Sequence, residues 1–226
     1  MISYLAINLF IIIFPLLLSF ESKITYYKKL KNVFFSIIIV STIFIIWDIY
    51  ATIRGDWSFN NNFLVNYRLF FLPIEEILFF ITVPYSMIFL FETAKLYIKD
   101  NILQYNKTIY NIIALFFLVI SVFFIDKYYT FTVFIFVSLS LVVLNYLSPH
   151  LLKSKVFFIL LLFSYVPFFV VNYLLTSIPI VEYSSSAILN IRVITIPIED
   201  FFYSFSLISL YISFYEMSLR VWKIKQ

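Results

Sequence analysis

The sequence predicts an all-α fold: a polytopic membrane protein of about seven transmembrane helices, arranged as two parallel three-helix repeats joined by a connector helix. Composition is the first reason. Of 226 residues, 63% are apolar and 12% charged, and the mean hydropathy is +1.01, well outside the range of soluble domains. The second reason is arrangement. The apolar residues fall into uninterrupted runs that suit bilayer-crossing helices of about 20 residues, whereas a membrane barrel would show short alternating segments. The third is an ungapped internal repeat, in which Asn66 returns as Asn190, a shift of 124 residues.

The first run, Ile2–Phe20, has no basic residue before it and no small-residue cleavage site. A cluster of Lys23, Lys28, Lys29 and Lys31 follows it. That order reads as an anchoring helix with its N-terminus outside, not a cleaved signal peptide. Val33–Ile53 is the second run and carries Asp48 near its outer end. Phe70–Phe91 is the third, reached through a long outer loop from Arg54 to Leu69. Ile109–Ile125 is the fourth, and the dipeptide Asp126-Lys127 forces the fifth, Tyr128–Leu147, to lie antiparallel beside it. Val156–Leu175, a second long outer loop (Ser177–Arg192) and Val193–Tyr215 complete the chain. The predicted units are residues 1–100 (helices 1–3), a connector over 101–127 (helix 4) and residues 128–226 (helices 5–7).

Charge fixes the predicted orientation. Basic residues concentrate on the cytoplasmic side of membrane proteins. The segments then assigned to the cytoplasm hold Lys23, Lys28, Lys29, Lys31, Lys95, Lys99, Lys107, Lys153, Lys155, Arg220, Lys223 and Lys225. Only Arg54, Arg68, Lys127 and Arg192 fall outside. The expected location is the cell membrane, multi-pass, with the C-terminus in the cytoplasm. The net charge of +4 is accounted for by these loops and calls for no nucleic acid.

Helices 1, 2 and 3 map onto 5, 6 and 7 at the shift of 124. Three helices joined directly to three would invert the second copy; one extra crossing restores its direction. The repeats are therefore expected to be parallel, related by an axis along the membrane normal, and both copies of the motif open a helix from the non-cytoplasmic side.

That motif carries the chemistry. The first copy reads Asn66-Tyr67-Arg68, then Pro73-Ile74-Glu75-Glu76-Ile77-Leu78-Phe79. The second reads Asn190-Ile191-Arg192, then Pro197-Ile198-Glu199-Asp200-Phe201-Phe202-Tyr203. Proline suits the first turn of a helix, and an acid there meets the positive end of the helix dipole; that alone would explain one copy as a helix start. It leaves the repetition and the second carboxylates unexplained, and ionisable groups in a span mark function by default. Adjacent carboxylates point about 100° apart on a helix, so one can face a cavity while the other meets Arg68 or Arg192. Carboxyl groups in different environments can supply a proton donor and a proton acceptor to one site. Asp48, whose counterpart is Asn172, is placed as a hydrogen-bond partner of that site. Glu92 and Glu216 align too, but lie about 25 Å away at 1.5 Å per residue and read as interface anchors. His150 reads as a solvated loop residue.

The paired Pro-x-Glu-(Glu/Asp)-x-x-(Phe/Tyr) motif on three-helix units resembles the integral-membrane lycopene β-cyclases, over essentially the whole chain. The resemblance implies a redox-neutral closure of the ψ-ends of lycopene. A terminal double bond is protonated, an internal alkene attacks the tertiary cation, and loss of a proton leaves a β-ionone ring. It implies Glu75, Glu76, Glu199 and Asp200 as catalytic residues, with the donor and acceptor left open. Asn66, Arg68, Asn190, Arg192, Asp48, Phe79 and Tyr203 would bind substrate or support the acids, aromatic faces being attractive to cations. The implied partner is lycopene or a related acyclic carotenoid, held among membrane lipid. No cofactor is expected, and the single glycine, Gly55, leaves no glycine-rich dinucleotide loop. With one His and no Cys, no metal is expected. Rival readings are a carotenoid hydratase, an intramembrane prenyltransferase and a proton-coupled carrier. Adjacent acids do not share a helix face as diphosphate-metal sites require, and few prolines and one glycine suit poorly the broken helices of many carriers.

Overall fold

The computed structural model describes residues 3–223; Ile2 of the first predicted run and Lys225 of the basic C-terminus lie outside the described residues. Seven α-helices follow in order: α1 Tyr4–Leu18, α2 Leu30–Arg54, α3 Ile74–Tyr97, α4 Lys107–Ser121, α5 Tyr128–Leu147, α6 Lys155–Ser177 and α7 Ile198–Lys223. Six short strands lie in the two long loops: β1 Trp57–Phe59, β2 Arg68–Leu69, β3 Leu72–Pro73, β4 Val181–Tyr183, β5 Arg192–Val193 and β6 Ile196–Pro197.

Among the described residues, five helical segments, those of α2 to α6, are long and apolar enough to cross a membrane. α1 is apolar but has 15 residues. α7 has 26, yet it is studded with Ser204, Ser206, Ser209, Ser213 and Ser218, all of them buried together with Tyr211 and Tyr215. α7 packs against α2, α3, α5 and α6, so its polar groups meet protein, not lipid. A helix at the centre of a bundle is under no pressure to be uniformly apolar. Ser3 caps α1, its side chain accepting the Ala6 amide at 3.2 Å. Gly55 ends α2 with φ +81°, the left-handed cap that glycine adopts freely.

Helices 3 and 7 start later than their apolar runs. Residues 70–73 and 193–197 belong instead to tight hairpins in which Arg68 pairs with Pro73 and Arg192 with Pro197. Phe70 and Phe71 both have positive φ; at the second tip, Ile194 does. These are the conformations of two-residue hairpin turns, adopted by bulky residues that rarely enter them. The prolines close a strand and sit immediately before the helix, one position ahead of the first turn. Apolar content cannot separate such a hairpin from a helix.

α1 lies on α3 as α5 lies on α7, and α2 packs on α7 while α6 packs on α3. α4 packs on α5 and buries only Ala114 and Ser121. The two long loops join in an antiparallel ribbon, β1 to β4, with Trp57 opposite Tyr183, Ser58 opposite Glu182 and Phe59 opposite Val181. At the other end of α3 and α7, Lys95 bridges Glu92 at 2.8 Å and Glu216 at 2.9 Å. Lys29 also pairs with Glu92, and His150 approaches Glu216 at 3.6 Å. His150 is exposed, but it is not left to solvent alone.

Candidate active site

The two acids of each motif have been given different surroundings, and both copies show the same division. Glu75 is buried, and its Oε1 accepts the backbone amide of Val65 at 2.6 Å. Glu199 is buried, and its Oε1 accepts the amide of Leu189 at 2.6 Å and the hydroxyl of Thr130 at 2.6 Å. Val65 and Leu189 are themselves 124 apart. Each first acid thus ties down the loop that leads into its own helix. The second oxygens of Glu75 and Glu199 are buried without a hydrogen-bond partner.

The second acids turn inward. Tyr4 donates its hydroxyl to Glu76 Oε2 at 2.7 Å. Asp200 is buried and accepts at both oxygens, from Tyr129 at 2.6 Å and from Tyr183 at 3.0 Å. Glu76, Asp200 and the buried Asp48 all line one cavity of about 70 Å³. Asp48 accepts from the Trp57 indole at 2.9 Å and from Thr52 at 3.3 Å. Burial, with the Asp200 carboxylate close by, raises the Tyr183 phenol well above its ordinary pKa, so Tyr183 remains a donor.

Aromatic rings make the rest of the wall. Trp47 lies 5.3 Å from Trp57, 5.9 Å from Tyr129 and 5.6 Å from Tyr203, centroid to centroid. Tyr129 stacks on Tyr183 at 5.6 Å, and Phe79 lies 6.0 Å from Tyr4. Faces of this kind attract a cation. The arrangement sets carboxyl groups, which can carry or take up a proton, beside a π-lined space. The ribbon of β1 and β4 covers it, since Trp57, Phe59, Val181 and Tyr183 all line the cavity.

Residues 2–94 match a family model described as lycopene cyclase, and residues 126–218 match it a second time. The chain belongs to the lycopene cyclase family. The two matches begin 124 residues apart, the same shift that relates the acidic motifs, so the family signature itself is present twice. The protein is thus an enzyme that cyclises lycopene, and its substrate is a carotenoid. No curated protein and no solved structure matches the chain.

Against the sequence expectations, the fold of this cyclase gathers Asp48, Glu76, Asp200, Phe79 and Tyr203 around one cavity and leaves others out. Arg68 and Arg192 are exposed and do not pair with the motif acids. Arg68 donates to the Phe71 carbonyl at 3.1 Å and to Asn61 Oδ1 at 2.7 Å; Arg192 donates to the Thr195 carbonyl at 2.7 Å. Their spacing from the acids is that of the hairpin they close, which directs them across it. Asn66 and Asn190 are exposed, each with φ +64°, a left-handed conformation that Asn tolerates better than most residues. They turn the chain after the clamped amide and lie away from the cavity. Sequence reasoning missed Tyr4, Tyr129, Tyr183, Trp47 and Trp57. One signal was available: Tyr residues stand at the N-terminal starts of both helix 1 and helix 5, and two of three tryptophans bracket the end of helix 2.

Proposed function

We propose that this cyclase forms β-ionone rings by acid–base chemistry in the aromatic cavity, without a cofactor. Glu76 gives its proton to the terminal double bond of a ψ-end. The resulting tertiary cation is attacked by the internal alkene, which closes the six-membered ring and moves the positive charge to a ring carbon. Asp200 accepts the proton lost from the neighbouring carbon, and the new ring double bond forms. One proton is added and one removed, so the reaction is balanced and redox-neutral. Asp48, on the same wall, completes the path by which the proton returns to Glu76.

The observation that carries this reading is the convergence of Glu76, Asp200 and Asp48 on one cavity with eight aromatic side chains around it. The hydrogen bonding supports the division of labour. Asp200 takes donors at both oxygens, yet each carboxylate oxygen has two lone pairs, so it can still receive a proton. Glu76 engages one oxygen and keeps the other for the proton it delivers. Glu75 and Glu199 act as loop clamps in this reading, with no direct contact with the reacting carbons.

We further propose that residues 1–100 and 128–226 are parallel repeats, with 101–127 as the connector, and that all seven helices span the membrane with the N-terminus outside. Equivalent packing of α1 on α3 and α5 on α7 supports the repeats. So does the ribbon, whose central pair, Ser58 and Glu182, is related by the same shift of 124. Substrate would then reach the cavity from the bilayer. Expression in a lycopene-accumulating host, followed by pigment analysis, tests the function: β-ring products are expected, and unchanged lycopene at normal protein levels overturns it.

A further inference from the structure

A second cavity, of about 190 Å³, opens beside the first between α1, α3, α6 and α7. The two share Phe79, Asn172 and Tyr203 as walls. Its lining is apolar apart from a few hydroxyls and Asn172, and Phe10 at its edge is 58% exposed. Asn172 is the counterpart of Asp48, so charge ends where the slot joins the acid cavity.

The internal repeat predicts a mirror slot between α5, α7, α2 and α3, and that space is filled. Ser204 in the open slot corresponds to Phe80, Ser164 to Val40, and Met87 to Tyr211, each at the shift of 124. Phe80, Val40 and Tyr211 are buried in one cluster with Phe44 and Phe136. Phe44 and Phe136 lie 4.5 Å apart, and Tyr211 shares a 2.8 Å hydrogen bond with Ser41. Proline is divided in the same way. α1, α3 and α6 contain Pro15, Pro84 and Pro167; their counterparts are Leu139, Ile208 and Ile43. A proline inside a helix removes one backbone hydrogen bond and disturbs regular packing.

Building on the cyclase reading above, we propose that the polyene chain of the substrate enters only through the α1/α3/α6 slot, so that one end of the molecule is processed per binding event. The carotenoid backs out after the first ring closes and must rebind the other way round for a second. The acids sit at the inner end of a single apolar passage, and the other approach is packed shut.

The test uses the purified full chain in liposomes with lycopene. Expected in the wild type is a monocyclic product that leaves the enzyme, exceeds it in amount before any bicyclic product builds up, and is held at that stage by excess fresh lycopene. Ser204→Phe and Ser164→Val, which copy the closed side, should cut the rate at least tenfold, mainly through KM. Ile43→Phe, on the exposed face of α2 beside the closed slot, should leave it unchanged. Direct formation of bicyclic product with no free monocycle overturns the inference, as do wild-type rates in both slot variants. The wild-type time course decides even where a variant fails to fold. A wild type that leaves lycopene untouched defeats the cyclase reading instead, so the two failures are distinct.

Discussion

Tyr129 holds Asp200 from the helix that packs beside it, its hydroxyl 2.6 Å from Oδ1, with the pair buried. In the other repeat, Tyr4 holds Glu76 at 2.7 Å. The acid stands on the third helix of each repeat and the phenol on the first. Helix–helix packing therefore sets the direction in which each carboxyl points. A hydrogen bond to a charged group contributes about 1.5–3 kcal/mol. Tyr129→Phe is expected to slow cyclisation roughly tenfold to a hundredfold, with the ring surface that lines the cavity retained. Tyr4→Phe should act in the same direction. Rates of product formation per folded protein check this; unchanged rates in both would mean that the phenols do not position the acids.

Replacing the acids themselves should cost more. Glu76→Gln and Asp200→Asn keep size and most hydrogen bonding but can neither deliver nor accept a carboxyl proton. Acid–base groups typically contribute about 10²- to 10⁴-fold, so each amide should nearly abolish ring formation while protein remains in the membrane. Pigment yield normalised to protein amount is the measurement. Substantial conversion by both variants would remove these residues from the proton path.

The helical, membrane-capable class and the doubled family signature were open to reading because they depend on quantities that a sequence displays directly: apolar run length and the 124-residue shift. The repeated acidic motif was visible for the same reason. What stayed hidden was direction. A spacing of one residue says that Glu75 and Glu76 diverge by about 100°, but only the packing of α1 on α3 decides that Glu76 meets Tyr4 while Glu75 meets the Val65 amide. Arg68 and Arg192 were misplaced because a hairpin at residues 68–73 is as apolar as a helix start, and in a hairpin the arginines reach backbone carbonyls across the turn. Tyr183 reaches Asp200 through a strand pairing between loops, a contact with no local signature.

Glu92 offers a control at the far end of α3. It is buried, and it binds Lys95 at 2.8 Å and also Lys29. Both lysines are about one-third exposed, which puts the pairs between surface bridges and fully buried ones, at about 1–3 kcal/mol. Glu92→Gln should lower the yield of folded protein and leave turnover per folded molecule within about twofold. A collapse of turnover at normal yield would tie this end of the helix to the chemistry.

Orientation can be read with a reporter. Twelve basic residues fall on the proposed cytoplasmic side against four outside, and that bias generally sets topology. A reporter active only in the cytoplasm, fused after Gln226, is expected to be active; the same reporter placed in the outer loop near Asn61 should be silent. The reverse pattern, with well-expressed fusions, would turn the acid cavity toward the cytoplasm and discard the proposed topology.

The first acids of the motifs make the sharpest contrast. All four carboxylates look alike in the sequence, yet Glu75 and Glu199 each spend an oxygen on a loop amide ten residues back, at 2.6 Å in both repeats. Neither lines the acid cavity. A clamp of this kind holds the turn at Asn66 or Asn190 and the hairpin that follows, and so fixes where the helix carrying the second acid begins. Glu75→Ala removes the acceptor and leaves a part-buried amide unpaired, which costs about 1–3 kcal/mol; Glu75→Gln keeps an oxygen that can still accept and should cost less. The expected series is wild type, then Gln, then Ala, in falling resistance to thermal denaturation in detergent. Turnover of the protein that remains folded should stay within severalfold of wild type in the Gln variants. Glu199→Gln should be the more sensitive of the two, because Glu199 also accepts from Thr130. If Glu75→Gln and Glu199→Gln instead fold normally and lose more than a hundredfold in rate, as Glu76→Gln and Asp200→Asn are expected to do, the proton chemistry belongs to the first acids and the clamp reading fails.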